Sequence, residues 1–150
     1  MLKILLIIRG IPGARKSTLA SLLVRGWLIR AAVVSEDDYW TAPDGSYHYD
    51  AATTPLAFAA MYAAARDAIE NGLSLVVMAT AALSLDDAEM QAVIGEAKSV
   101  GYDVFPLVLQ RDSAFTSTHD VSAAEMDRFR REMEHGLEIN FKPNQGNTIV

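Results

Sequence analysis

The feature that most constrains the fold is an aliphatic run followed by a glycine-rich turn and a helical pattern. The run Ile4–Arg9 is almost uninterruptedly apolar, as expected of a central parallel strand that is buried on both faces. Over residues 16–27, Leu19, Leu22 and Leu23 recur on one face at the helical period. The segment between them follows Gly-x-x-x-x-Gly-Lys-[Ser/Thr] except at one position, and such loops cradle phosphate with backbone N–H groups and a helix N-terminus. The start of the chain therefore predicts a nucleoside-triphosphate site.

The candidate phosphate-binding residues are nine consecutive positions: Gly10, Ile11, Pro12, Gly13, Ala14, Arg15, Lys16, Ser17 and Thr18. In such loops the lysine reaches the β and γ phosphates and the hydroxyl ligates Mg²⁺, which assigns these roles to Lys16 and Ser17. Arg15 stands where the pattern has glycine. If the backbone needs a positive φ there, a Cβ costs about 1 kcal/mol, whereas a guanidinium beside phosphates is favourable. The sequence leaves both interpretations of Arg15 open, and the plain alternative for the whole segment is a turn that binds nothing.

Strands and helices are predicted to alternate along the rest of the chain. Strands are expected at 31–35, 73–79, 102–109 and 147–150, and helices at 51–71, 84–100 and 123–135. Pro55 fits the first turn of its helix, Gly72 fits the end of the same helix, and Pro106 indicates a bend or an edge in its strand. This order predicts right-handed βαβ units, a mostly parallel sheet covered on both faces, and a single domain over residues 1–150.

Two aspartates follow the second predicted strand. Because the carboxyl ends of parallel strands line one edge of a sheet, Asp37 and Asp38 are expected near the Ser17 hydroxyl. A carboxylate there accepts a proton from an acceptor hydroxyl or holds Mg²⁺ through water. The alternative is a helix cap or a solvated acidic turn.

Other candidate residues have weaker support from the sequence. Arg128 and Arg131 lie on the last predicted helix, where an arginine would neutralise a transferring phosphoryl group; the alternative is pairing with acidic neighbours on that helix. His119 is interpreted as a solvated loop residue. The aromatic residues Trp40, Tyr47 and Tyr49 are interpreted as packing residues, with a substrate wall as the alternative.

Composition excludes several classes of protein. The chain has no cysteine, which excludes disulfides, thiolate metal sites and a cysteine nucleophile. A net charge of −6 disfavours extensive sequence-independent binding to duplex DNA, because such proteins usually carry a basic surface. No apolar run reaches the roughly 20 residues that span a bilayer. We therefore expect a cytoplasmic protein without a membrane partner.

Five segments together resemble a known family: residues 7–13, 36–40, 44–50, 75–80 and 118–122. They are similar to small P-loop ATP-binding proteins, often phage-encoded, that are related to polynucleotide kinases and zeta toxins. The resemblance implies a three-layer, kinase-like P-loop NTPase fold with a five-stranded parallel sheet. It also implies ATP and Mg²⁺, Asp37 as the general base, and a lid arginine, here Arg128 or Arg131.

The chain departs from this family at several positions. Arg15 replaces the loop glycine, Ala79 stands where relatives carry Asn or Asp before a threonine, and Phe58 stands where relatives often carry His. The loop at 119–122 has His-Asp-Val-Ser instead of His-Gly-Val-Pro. The leading expectation is an ATP-dependent kinase that acts on a hydroxyl of a nucleic-acid end, a modified base or a nucleotide-like substrate. The alternative is a degenerate P-loop protein that acts by binding nucleotide or another protein. An ATPase or GTPase switch has less support, because no aspartate ends the third strand.

Overall fold

The structure is a computed structural model that describes residues 2–11, 15–26, 30–82, 84–109 and 148–149. One parallel sheet has the strand order β2-β3-β1-β4-β5. The strands are β1 Ile4–Arg9, β2 Ala31–Val34, β3 Leu75–Thr80, β4 Asp103–Leu109 and the two-residue β5 Thr148–Ile149. The helices are α1 Lys16–Gly26, α2 Thr54–Glu70 and α3 Ala88–Ser99, with short 3₁₀ helices at Glu36–Trp40 and Ala51–Thr53. The predicted α/β class and parallel sheet are confirmed.

The sheet is covered on both faces, which gives three layers. β1 lies between β3 and β4, and its residues Leu5, Ile7 and Ile8 have no exposed surface, as its uninterrupted apolar pattern predicts. One core cluster joins Leu5 and Ile7 to residues of α2 and α3. A second cluster on the opposite face joins Ile8 to Ala20 of α1.

The buried face of α1 differs from the predicted one. Ala20 is fully buried and Leu19 packs against its cluster, but Leu22 is 60% exposed and Leu23 is 36% exposed. At about 100° per residue, Leu22 lies about 200° around the helix from Ala20. The helix therefore approaches the sheet through its small residue, and the leucine pattern indicated the wrong side.

Capping residues shift several boundaries. Asp50 accepts a hydrogen bond from the Ala52 N–H and begins a 3₁₀ turn, so α2 starts three residues later than predicted, with Pro55 in its first turn as expected. The N-cap of α3 is Asp87, which corrects the predicted start at residue 84. Gly72 follows α2 with a φ of 68°, the left-handed conformation that glycine adopts without strain.

The proline in β4 lies where the sheet is open on one side. Pro106 aligns with Ile7 of β1, and β5 pairs only with Val108 and Leu109. Over the described residues, Pro106 therefore has a strand on one side alone, which fits its missing N–H and the predicted edge. The predicted helix 123–135 and the loop with His119 lie outside the described residues. Of the helices that the structure describes, none is long and apolar enough to cross a membrane.

Candidate nucleotide-binding site

The lysine of the loop lies at the carboxyl end of the central strand. β1 ends at Arg9, and Gly10 and Ile11 continue toward α1, which begins at Lys16. The Lys16 ammonium donates to the Gly10 carbonyl at 2.8 Å and to the Ile11 carbonyl at 3.1 Å. Burial lowers the pKa of Lys16, and the nearby charges of Glu36 and Asp37 oppose that shift. The loop thus holds the Lys16 ammonium at the edge of the sheet, where a positive charge favours the binding of phosphate oxygens.

Arg15 has the backbone conformation that glycine favours. Its φ is 63°, in the left-handed region where a Cβ is strained. Its carbonyl accepts a hydrogen bond from the Leu19 N–H at 3.1 Å, so this conformation leads directly into the first turn of α1. Ser17 and Thr18 are exposed in that turn. Pro12, Gly13 and Ala14 lie outside the described residues.

The two aspartates after β2 have different surroundings. Ser35 caps the 3₁₀ helix: its hydroxyl accepts the Asp37 N–H, and its own N–H donates to the Asp38 carboxylate, each at 3.2 Å. Asp38 therefore takes the capping role that was the alternative interpretation. Asp37 is partly buried and accepts a 2.9 Å hydrogen bond from the Tyr47 hydroxyl. Burial and this hydrogen bond to Asp37 raise the pKa of Tyr47, so Tyr47 stays a donor to the carboxylate.

Sequence reasoning gave Glu36 no role, yet it is the most buried acidic residue at this edge, with 5% of its surface exposed. Its Oε1 accepts the Ala81 N–H at 2.7 Å, which ties the end of β2 to the residue after β3. Its Oε2 is buried and has no hydrogen-bond partner within the described part of the chain. Burial raises the pKa of Glu36, and hydrogen bonds from the Ala81 N–H and from the N–H of Glu36 itself partly oppose that shift. A signal existed: Glu36 directly follows two buried residues at the carboxyl end of β2.

Aromatic residues flank the acidic turn. Trp40 is 7% exposed, and its indole N–H donates to the Thr53 hydroxyl at 2.9 Å. Its ring makes edge-to-face contacts with three tyrosine rings, and the centroid separations are 6.3, 6.4 and 4.9 Å for Tyr39, Tyr47 and Tyr49. Trp40 is a packing residue, while Tyr39 and Tyr49 remain substantially exposed.

The site assembles part of the predicted residue set. Lys16, Glu36 and Asp37 interact electrostatically, whereas Arg128 and Arg131 lie outside the described residues. The residues fit Mg²⁺, because the Ser17 hydroxyl is a hard oxygen donor, and magnesium sites in nucleotide-binding proteins combine one or two such groups with phosphates and waters. No group of three or more His, Cys, Asp or Glu suited to a metal ion occurs in the described ranges.

Comparisons with solved structures define the class of fold. A chain of the Pnkp1/Rnl/Hen1 RNA repair complex matches with a TM-score of 0.66 and 16% identity, over 94% of this chain and 47% of that one. A sugar kinase from a Janibacter species matches at 0.57 and 14%, over 99% and 84%. Kti12 from Chaetomium thermophilum in complex with ADP-AlF3 matches at 0.53 and 13%, over 85% and 79%.

These similarities show the fold: the chain has the kinase-like P-loop NTPase architecture. It spans less than half of the chain from the RNA repair complex. No family model and no curated protein matches the sequence.

Proposed function

We propose that the protein is an ATP-dependent phosphotransferase, a kinase that acts on a hydroxyl of a nucleic-acid end, a modified base or a nucleotide-like substrate. The observation that carries this proposal is the joint position of Lys16 and Asp37. The charge of Asp37, in the 3₁₀ helix that follows β2, acts on the loop lysine at one edge of the sheet, and transfer from a bound phosphate to an activated hydroxyl requires such a pair.

In the proposed reaction, the acceptor oxygen attacks the γ phosphorus, the bond to the bridging oxygen breaks, and ADP leaves. Lys16 and the loop N–H groups hold the phosphates, and Asp37 takes the proton of the acceptor hydroxyl. Tyr47 orients the Asp37 carboxylate through its hydrogen bond. Arg128 or Arg131 is assigned to the charge on the transferring group. When bound, Mg²⁺ would neutralise charge on the phosphate oxygens, and Ser17 is the residue proposed to hold it.

The similar structures support this choice of reaction class. One is a sugar kinase, one was solved with ADP-AlF3, and one belongs to an RNA repair complex.

Nucleotide binding is the first test, measured by calorimetry with Mg·ATP. We expect micromolar binding by the wild type and none detectable for Lys16→Ala, because the phosphates lose their partly buried cationic partner. Lys98→Ala, which removes an exposed lysine of α3, should bind like the wild type. Negligible heat from the wild type and Lys16→Ala alike would contradict the proposal.

Phosphoryl transfer is the second test. ATP labelled on its γ phosphate is offered with DNA and RNA oligonucleotides that carry a free terminal hydroxyl, and with nucleosides. We expect Asp37→Asn to reduce turnover by about 10²–10⁴-fold, the usual contribution of a general base, with unchanged ATP affinity. Asp67→Asn, an exposed aspartate of α2, is the matched control. Unchanged turnover in Asp37→Asn would remove the residue from this role.

A second candidate function rests on Arg15. Its strained φ of 63° inside the loop, together with the apolar Ala79 at the end of β3, favours a protein that has kept the fold but binds nucleotide weakly and acts by binding another protein. The calorimetric test separates the two candidates, because only the kinase requires Mg·ATP binding that depends on Lys16.

A further inference from the structure

Glu36 is a buried carboxyl group with one hydrogen-bonding oxygen left over. Acidic side chains are almost never fully buried unless they are paired, and Glu36 is 5% exposed. Oε1 is used by the Ala81 N–H at 2.7 Å. Oε2 is buried without a hydrogen-bond partner in the described ranges. An oxygen buried in this way is costly to the fold, so it calls for an explanation beyond the bond to Ala81.

The Glu36 carboxyl lies near the phosphate-binding lysine. The charges of Lys16 and Asp37 both act on the Glu36 carboxyl, so Glu36 interacts electrostatically with the phosphate-binding lysine. Lys16 already donates to two loop carbonyls. Asp38 already accepts the Ser35 N–H. Over the described residues, Glu36 Oε2 is thus an acceptor without a hydrogen-bond donor, in a carboxyl group that interacts electrostatically with Lys16.

The end of β3 offers no carboxylate of its own. Ala79 and Ala81 flank Thr80, and the Thr80 hydroxyl accepts the Ala82 N–H at 3.0 Å. Because Glu36 accepts the Ala81 N–H, a carboxylate from the segment that follows β2 lies beside the end of β3. Mg²⁺ in nucleotide sites keeps several of its waters, and each of these waters is a hydrogen-bond donor that needs an acceptor.

We propose that Glu36 Oε2 accepts a hydrogen bond from a water of the Mg²⁺ ion that accompanies the bound nucleotide, so that Glu36 is a metal-positioning residue. This inference rests on the proposed nucleotide-binding function. It assigns to Glu36 the role that sequence reasoning had offered to Asp37 and Asp38. The simpler account is a clamp in which the Glu36–Ala81 hydrogen bond only joins β2 to the segment after β3.

Glu36→Gln separates the two accounts. The amide oxygen keeps the acceptor for the Ala81 N–H and nearly the same shape, whereas the amide nitrogen replaces Oε2 with a donor that cannot receive a water proton. The probe is Mn²⁺, titrated by calorimetry into protein saturated with ADP, with ADP affinity in the absence of any divalent cation as a second readout. Glu70→Gln, an exposed glutamate at the end of α2, is the control.

We expect Glu36→Gln to weaken Mn²⁺ binding by about 10–100-fold, as is typical when a residue that orients a metal's ligands is removed. ADP affinity without a cation should be unchanged or tighter, since a negative charge near the phosphates is lost. Unchanged Mn²⁺ affinity in a variant that binds ADP would overturn the inference and leave nucleotide binding intact.

Two further outcomes are decisive. If the wild type binds no ADP, the proposed function and this inference fall together. If Glu36→Gln does not fold, Glu36→Asp, which keeps the charge but withdraws it by one methylene, should also weaken Mn²⁺ binding by about tenfold or more. Wild-type Mn²⁺ affinity in Glu36→Asp would then count against the inference.

Discussion

Replacing Arg15 with glycine should stabilise the protein, because the backbone at this position is strained. At a φ of 63° a residue with a Cβ costs about 1–2 kcal/mol. Glycine removes this cost but returns about 0.4–1 kcal/mol through the greater freedom of the unfolded chain. The midpoints differ by about 0.8 kcal/mol. In a chain of 150 residues, each kcal/mol shifts Tm by roughly 2–4 °C, so Arg15→Gly should raise Tm by about 2–3 °C.

The assay is thermal unfolding followed by circular dichroism, with Arg15→Ala as the matched control. Alanine removes the guanidinium and its interactions but keeps the Cβ, so the Tm of Arg15→Gly should exceed that of Arg15→Ala by about 2–3 °C. Only the glycine variant removes the backbone strain at residue 15. An equal rise in both variants would mean that charge, not backbone strain, sets the effect. A lower Tm for Arg15→Gly would refute the argument from conformation.

The same two variants distinguish the two interpretations of the Arg15 side chain. If the guanidinium binds phosphate, Mg·ATP affinity falls in both variants. If the Cβ obstructs the close approach of phosphate to the backbone, affinity rises in Arg15→Gly alone.

Two other predictions concern stability. Tyr62→Phe removes the 2.8 Å hydrogen bond from the hydroxyl to Asp87, which joins α2 to the N-cap of α3. It should cost about 1–2 kcal/mol, seen in thermal unfolding as a Tm lower by roughly 2–8 °C, whereas the exposed Tyr39→Phe should have little effect; equal shifts would contradict the assigned role of the bond. Glu36→Gln should change how stability depends on pH. Burial raises the pKa of Glu36 above its ordinary 4.5, so folded wild type retains a proton that the unfolded chain releases. Its free energy of unfolding should fall relative to that of the variant as pH rises from about 4.5 through the raised pKa, and then run parallel. Urea unfolding across a pH series measures this, and a difference independent of pH would refute it.

The strands were predictable because their burial on both faces leaves a direct pattern in the sequence. β1 and β3 are continuous apolar runs, and the structure buries all six residues of β3. The ends of helices were less predictable, since several acidic or hydroxyl residues compete to cap each one. Ser84 and Asp87 both suit a helix start. Asp87 takes the N-cap, where it accepts the Met90 N–H and also a hydrogen bond from the Tyr62 hydroxyl, a contact between distant parts of the chain that favours the later position.

The site residues that a local sequence pattern identifies were predictable, whereas the one that only its burial identifies was not. Lys16 is fixed by the loop pattern, and Asp37 by its place after a strand. Glu36 belongs to the same acidic run as its two neighbours, and the sequence does not show which of the three side chains turns inward. Tertiary packing decides that: Asp38 turns back to cap Ser35, while Glu36 reaches the segment after β3.

Ala79 and Glu36 both bear on whether the site can catalyse phosphoryl transfer. Ala79, in place of the Asn or Asp that relatives carry before the threonine, is the departure at the end of β3 that counts against catalysis. Ala79, however, is 1% exposed and packs with Ile8 and Val77 on the face covered by α1, where an amide would need partners that this cluster does not supply. Glu36, which follows β2 and accepts the Ala81 N–H, instead supplies a carboxylate near the end of β3 that interacts electrostatically with Lys16. Ala79 is therefore weak evidence for a degenerate protein. The choice between enzyme and remnant then depends on Arg15, whose strained backbone lies inside the phosphate-binding loop itself.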